Sequence, residues 1–236
     1  MHSMNDYKRD EQMRREILTR EQQMRQKRFH CILREQVALS IQSIKNGQGR
    51  ILEVGCGHAD VAINYIAPNC KELIITDIER FYDPDRLPSN TRFQIENSLH
   101  LSFEDESFDG VYSVDVIEHI PDYRAFVLES LRVLRPGGKL LYTTPNRHRF
   151  SVLVRWLIGK PIRFPHTYGL DPVLGEITHD REFSQKDLHR LHDSVTATHK
   201  TIRGIFFGIV PWNLGISKPP WFLKRFADHW LGEIIK

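Results

Sequence analysis

Between Arg50 and Thr144, apolar residues fall into short runs parted by polar, glycine- or proline-bearing stretches. Strands are predicted near 50 to 54, 72 to 76, 91 to 96, 108 to 114 and 138 to 144, with helices near 59 to 67 and 122 to 134. Such alternation calls for a largely parallel sheet covered on both faces, with ligands over the C-terminal ends of the strands. Residues 80 to 90, holding Pro84 and Pro88, are poor helix material.

Upstream, residues 4 to 45 are dense in Glu, Gln, Arg and Met and predict one or two helices. Ile17, Met24, Cys31 and Ala38 recur every seven residues beside Met13, Leu33, Val37 and Ile41, so residues 1–46 form an arm or lid with an apolar stripe to cover. Residues 47–204 make the main domain. Within it, 145–182 reads as a long loop on the acceptor side, carrying Trp156, Phe164 and Tyr168. Ser184 then caps another helix. Residues 205–236 form an extension with Trp212, Trp221 and Trp230, in which Leu223, Phe226, Trp230 and Ile234 can share one helix face for core or dimer packing.

Composition narrows the class without naming it. With Lys+Arg 33 against Asp+Glu 30 in 236 residues, the formal charge of +3 is too small to argue for nucleic acid, although residues 1–50 hold eleven basic and six acidic side chains. Three cysteines, Cys31, Cys56 and Cys70, are odd in number and lack metal-ligand spacing, which suits a reducing compartment. No apolar run approaches the roughly 20 residues that span a bilayer, and the first residues do not read as a signal peptide. A cytoplasmic protein is expected.

The candidate chemistry starts where the first strand ends, at Glu53-Val-Gly-Cys-Gly-His-Ala-Asp60. Gly55 and Gly57 bring bare backbone close to a ligand at the start of a helix. The carboxylate of Glu53 suits a cation better than a pyrophosphate. A second strand ends in Asp77, about twenty residues on, where a carboxylate can accept ribose hydroxyls. Together with Asn97-Ser-Leu-His-Leu-Ser-Phe-Glu-Asp-Glu-Ser-Phe-Asp-Gly110 and Leu131-Arg-Val-Leu-Arg-Pro-Gly-Gly138, these segments resemble the class I S-adenosylmethionine-dependent methyltransferases. Ala59 stands where that family usually has its third glycine. The resemblance implies a Rossmann-like fold, a seven-stranded mostly parallel sheet with helices on both faces. It also implies S-adenosylmethionine held by Glu53, Gly55, Cys56, Gly57, Asp77 and Ile78, with Asn97, Ser98, Leu99 and Ser113 completing the set. Asn97 replaces an acid, and its side-chain carbonyl can accept the adenine amino group without charge.

Toward the acceptor the chain reads Asp115-Val-Ile-Glu-His119, Thr143-Thr-Pro-Asn146 and His179-Asp-Arg-Glu-Phe183. This set resembles the ubiquinone-pathway O-methyltransferases and, in part, the small-RNA 2′-O-methyltransferases, where such residues hold a divalent cation. Carried over, the ligands of Mg²⁺ or Mn²⁺ would be Asp115, Glu118, His119 and His179, with Asp115 one methylene shorter than the family's usual Glu. Relatives without metal use the histidine as base or cofactor contact, so His119 matters under either reading; His119 and Glu118 are the catalytic candidates, and His148, His166 and Glu182 are lesser ones. The expected activity is O-methylation of a small hydroxylated acceptor (sugar, phenol or lipid-linked metabolite). A metal-dependent RNA 2′-O-methyltransferase and a non-catalytic cofactor-binding regulator are the alternatives, and a homodimer is compatible with the apolar arm and tail.

Overall fold

The computed structural model of the chain describes residues 28–209, 214–216 and 220–236. Met13, Ile17 and Met24 of the N-terminal stripe, the side chain of Cys31, and Trp212 of the tail lie outside the described residues. The described part of the N-terminal arm is the helix α1 (Arg28–Gln42), which buries Leu33, Val37 and Ile41.

Five strands follow the predicted runs: β1 (Arg50–Val54), β2 (Glu72–Asp77), β3 (Thr91–Ile95), β4 (Phe108–Val114) and β5 (Leu134–Pro145). They pair in parallel, with Leu52 beside Ile74 on one side and Val111 on the other. Because successive strand residues face opposite ways, Ile51 and Tyr112 pack under α1 while Leu52 and Val111 enter the opposite core. That second core is closed by α2 (Tyr123–Val133), whose cap Asp122 accepts the Ala125 N–H at 2.9 Å. Residues 80 to 90 form only the short 3₁₀ turn Pro84–Arg86.

Two expectations are corrected. The stretch 145–182 is not an irregular loop: it holds the helix α3 (Phe150–Leu157) and an antiparallel hairpin, β6 (His166–Asp171) and β7 (Gly175–His179). The apolar pattern of the tail is not a helix face either. After α4 (Gln185–Asp193), β8 (His199–Ile205) and the small pair β9 (Phe207–Ile209) and β10 (Leu214–Ile216), the chain forms β11 (His229–Ile235). This last strand lies antiparallel between β5 and β8, giving the order β3-β2-β1-β4-β5-β11-β8. A four-residue spacing such as Trp230 and Ile234 puts side chains on one face of a strand as well as a helix, so the pattern alone did not decide. The expected seven-stranded, mostly parallel sheet with helices on both faces is present.

Candidate functional site

At the C-terminal ends of β1, β2 and β4 a cleft of about 510 Å³ opens. Its floor is the glycine loop, where Gly55 (φ +79°) and Gly57 (φ +47°) take left-handed backbone that a side chain would strain. A Cβ at Gly55 would come within 2.5 Å of Val116, so the first glycine is required by space as well as by angle. The N–H groups of Gly55 and Cys56 are both spent on the Thr76 carbonyl, each at 2.9 Å. This holds the loop against β2.

Asp77 stands in the cleft wall, its carboxylate accepting the N–H of Gly57 and of Ile78, each at 2.8 Å. Burial raises its pKa, and those two backbone donors oppose the rise. Ile78, 72 % exposed, lies beside it with Phe81. Ser98 and Glu96 line the cleft from the turn after β3.

Glu53, Asn97, Leu99 and Ser113 are not among the cleft-lining residues. Glu53 is buried behind the glycine loop with Oε2 lacking a partner, and burial lifts its pKa to about 8. Asn97 is exposed and its side-chain carbonyl accepts the Leu99 N–H at 2.9 Å. Ser113 is buried, its hydroxyl unpartnered. The Cys56 thiol is pushed up by burial and then by the charge of Glu53, which makes it a filler and not a nucleophile.

The opposite wall is a second set of elements. His119 and Ile120, after β4, face Leu174, Glu176 and Ile177 of the hairpin. His58 of the glycine loop meets Asp171 at the hairpin turn, Nε2 to Oδ2 at 2.9 Å. Asp171 also accepts the N–H groups of Val173 and Leu174 at 2.8 and 2.9 Å, which shapes the turn.

Glu118, His119 and His179 converge, with one ligand atom from each lying within 4.8 Å of the others. The imidazoles stand edge to face, centroids 4.7 Å apart. His119 Nδ1 donates to the Thr178 carbonyl at 2.7 Å, so its neutral form keeps Nε2 as the acceptor. Burial lowers its pKa, which favours that neutral form. His179 Nδ1 lies 3.4 Å from Glu182 Oε1. Glu182 is in turn bound by the Tyr168 hydroxyl at 2.6 Å and by Arg149; burial opposes its charge, yet His179 and Arg149 bring its pKa down to about 2. Glu118 is fully buried, one oxygen accepting from Thr144 at 3.0 Å and the other, Oε1, unpartnered. Burial and then the neighbouring charge of Asp115 push its pKa well up.

Asp115, expected as the fourth ligand, stands outside this group. Its Oδ1 accepts from the Thr143 hydroxyl at 2.7 Å and faces His229 Nε2 at 3.5 Å. His229 is buried, its other nitrogen 2.9 Å from Asp228, and although burial works against its charge, Asp115 and Asp228 raise its pKa to about 10. Sequence reasoning missed His229, Thr178 and the Asp171 contact. His229 sits in a tail read as helix, so no sequence signal placed it beside β4.

Comparison with known proteins sets the chain beside methyltransferases. Residues 52–142 match the family model described as "Methyltransferase domain". A probable S-adenosylmethionine-dependent methyltransferase of Mycolicibacterium smegmatis is 31% identical over 165 residues, 67% of this chain and 55% of that protein. The ubiquinone biosynthesis O-methyltransferase of Idiomarina loihiensis is 34% identical over 101 residues, 43% of this chain and 39% of that protein. The chain therefore spans about half the length of these relatives or less. Among solved structures, an S-adenosylmethionine-dependent methyltransferase from Thermotoga maritima, titled a possible histamine N-methyltransferase, superposes with a TM-score of 0.61 at 18% identity, covering 94% of this chain and 97% of that one. At that identity the likeness speaks for the fold alone.

Proposed function

The chain belongs to the class I S-adenosylmethionine-dependent methyltransferases, and from that premise we propose that it O-methylates a small hydroxylated acceptor, a sugar, phenol or lipid-linked metabolite. The observation that carries the reading is His119: an oriented, neutral imidazole with Nε2 free at the wall of the cleft, opposite the glycine loop. The cleft residues fit the cofactor. On this reading Asp77 takes the ribose and Ile78 and Phe81 the adenine faces, while Glu53 stays buried behind the glycine loop. When bound, S-adenosylmethionine supplies a methyl group made electrophilic by its sulfonium. His119 Nε2 takes the proton of the acceptor hydroxyl, which leaves the oxygen as the nucleophile for the methyl carbon, and the walls of the cleft hold it in line.

The Glu118, His119 and His179 atoms also fit a divalent cation, since the buried Glu118 Oε1 has no other partner and both Nδ1 atoms face acceptors. Two imidazoles with one carboxylate favour Mn²⁺ over Mg²⁺. Such an ion would lower the pKa of the hydroxyl, and His119 would then be ligand and not base. The same cluster supports the second reading, a metal-dependent RNA 2′-O-methyltransferase, but Asp115 is turned to His229 instead of the cluster.

Calorimetry with S-adenosylhomocysteine, with EDTA and then with added Mn²⁺, tests cofactor and metal together, followed by methyl transfer to phenols, sugars and short RNAs. Binding that survives EDTA and a His119→Ala variant slowed by about 10²–10⁴ in kcat support the base reading. Absence of affinity for S-adenosylhomocysteine overturns the methyltransferase assignment.

A further inference from the structure

Beyond the cleft, the acceptor side carries two cavities that share one side chain. The first, of about 380 Å³, is lined by Arg124, Arg147, Arg181 and Arg190 around Tyr123. Their charges are poorly compensated. Glu182, in the same wall, is committed to Arg149, Tyr168 and His179, and Asp187 to the Ser184 cap. Arg190 approaches Asp187 only to 4.0 Å, and Arg124 reaches no more than the Ser194 carbonyl at 3.4 Å. Arg181 lies over the Tyr123 ring at 4.9 Å, with its buried Nε lacking any partner. Four guanidinium groups around one cavity repel one another, and an anion between them relieves that repulsion through charge-assisted hydrogen bonds.

The second cavity, of about 320 Å³, is apolar: Val152, Leu153, Trp156, Ile162, Phe164 and Phe226 line it, and Arg147 and His148 stand at its polar edge. From Asn146 to Leu170 there is no acidic residue, while Arg147, Arg149, Arg155, Lys160 and Arg163 are basic. Trp156 remains 64 % exposed although it walls a hydrophobic cavity. Arg147 lines both spaces, so a greasy slot runs up to a basic one.

We propose that the two cavities are one amphipathic site, and that the methyl acceptor is an anionic amphiphile with a phosphate or carboxylate head among the arginines and a hydrocarbon chain beneath α3. This rests on the methyltransferase reading and names the acceptor class for it. Glu182 walls the arginine cavity and holds His179, so one side chain separates the anionic head from the imidazoles.

The probe is dodecyl phosphate below its critical micelle concentration, titrated into the full chain beside dodecanol and inorganic phosphate, with S-adenosylhomocysteine affinity measured on the same samples. Dodecyl phosphate is expected to bind at least about tenfold tighter than either half alone, and Arg147→Gln and Trp156→Ala, both at exposed side chains, to weaken it about fivefold each while leaving S-adenosylhomocysteine binding intact. Equal affinity for dodecanol and dodecyl phosphate, or variants that bind like the wild type, overturns the site. So does cosedimentation with phosphatidylglycerol vesicles that dodecyl phosphate does not compete away, since the face would then be reading a bilayer surface; competition supports a single-lipid site. If S-adenosylhomocysteine binds and dodecyl phosphate does not, only this inference falls; the reverse result removes the methyltransferase reading and keeps the amphiphile site.

Discussion

His229 is an imidazole that burial would keep neutral, and two carboxylates reverse that. With its pKa raised from 6.5 to about 10 by Asp115 and Asp228, the folded state holds a proton that the unfolded chain gives up. Its contribution is complete below about pH 6.5 and is lost as the pH rises toward 10. His229→Gln should cost about 3 kcal/mol near pH 6 and flatten the fall in urea midpoint between pH 6.5 and 10; parallel slopes for the two proteins would refute the pairing. At Glu53 burial prevails: its pKa is lifted from 4.5 to about 8, so the fold keeps a proton that the unfolded chain releases, and stability falls as the pH rises from 4.5 toward 8. Glu53→Gln should flatten that part of the fall in urea midpoint; an unchanged slope would mean that the carboxyl ionises in the fold as it does in the unfolded chain. Single residues with a local signature were legible beforehand: Gly55, Gly57 and Asp77 owe their roles to neighbours within one βα turn or one strand pairing. The partners of Asp115 come from β5 and β11, and nothing near Asp115 in sequence announces them.

At the scale of elements, the hairpin of β6 and β7 is the part of the site that the sequence hid. Its strands carry exposed and half-exposed positions with few buried ones, so no apolar alternation marks them, and the stretch reads as loop. Once folded it supplies Leu174 and Ile177 to the cleft, Thr178 to orient His119, and His179 to the cluster. The His58–Asp171 contact ties this hairpin to the glycine loop. Asp171→Ala should loosen it, speeding S-adenosylhomocysteine dissociation about fivefold, equivalent to ~1 kcal/mol, and raising hydrogen exchange in residues 171–175. An unchanged off-rate in stopped-flow displacement would mean that the hairpin does not gate the cleft.

At the scale of the molecule, the decisive event is the return of the tail to the sheet. β11 enters between β5 and β8, and Gly232 is what lets it lie there, because a Cβ would stand 2.2 Å from the Tyr142 ring. Gly232→Ala should cost about 2–3 kcal/mol, read as a lower denaturation midpoint, and should disturb His229 in the same strand; a neutral substitution would show that the ring can move aside. The same insertion brings Trp230 and Ile234 into the core under α2 and α4, and Asp228 and His229 to the ends of β4 and β5. The sequence by itself determined the parallel half of the sheet, its glycine loop and the placing of Asp77, because each depends on periodicity and turn chemistry within a few residues or on adjacent βα units. Only the tertiary structure decided that 229–235 is a strand, that 166–179 is a hairpin over the cleft, and that Asp115 leaves the cluster to Glu118, His119 and His179. Those outcomes turn on contacts between segments far apart in sequence, whose energies local patterns do not encode.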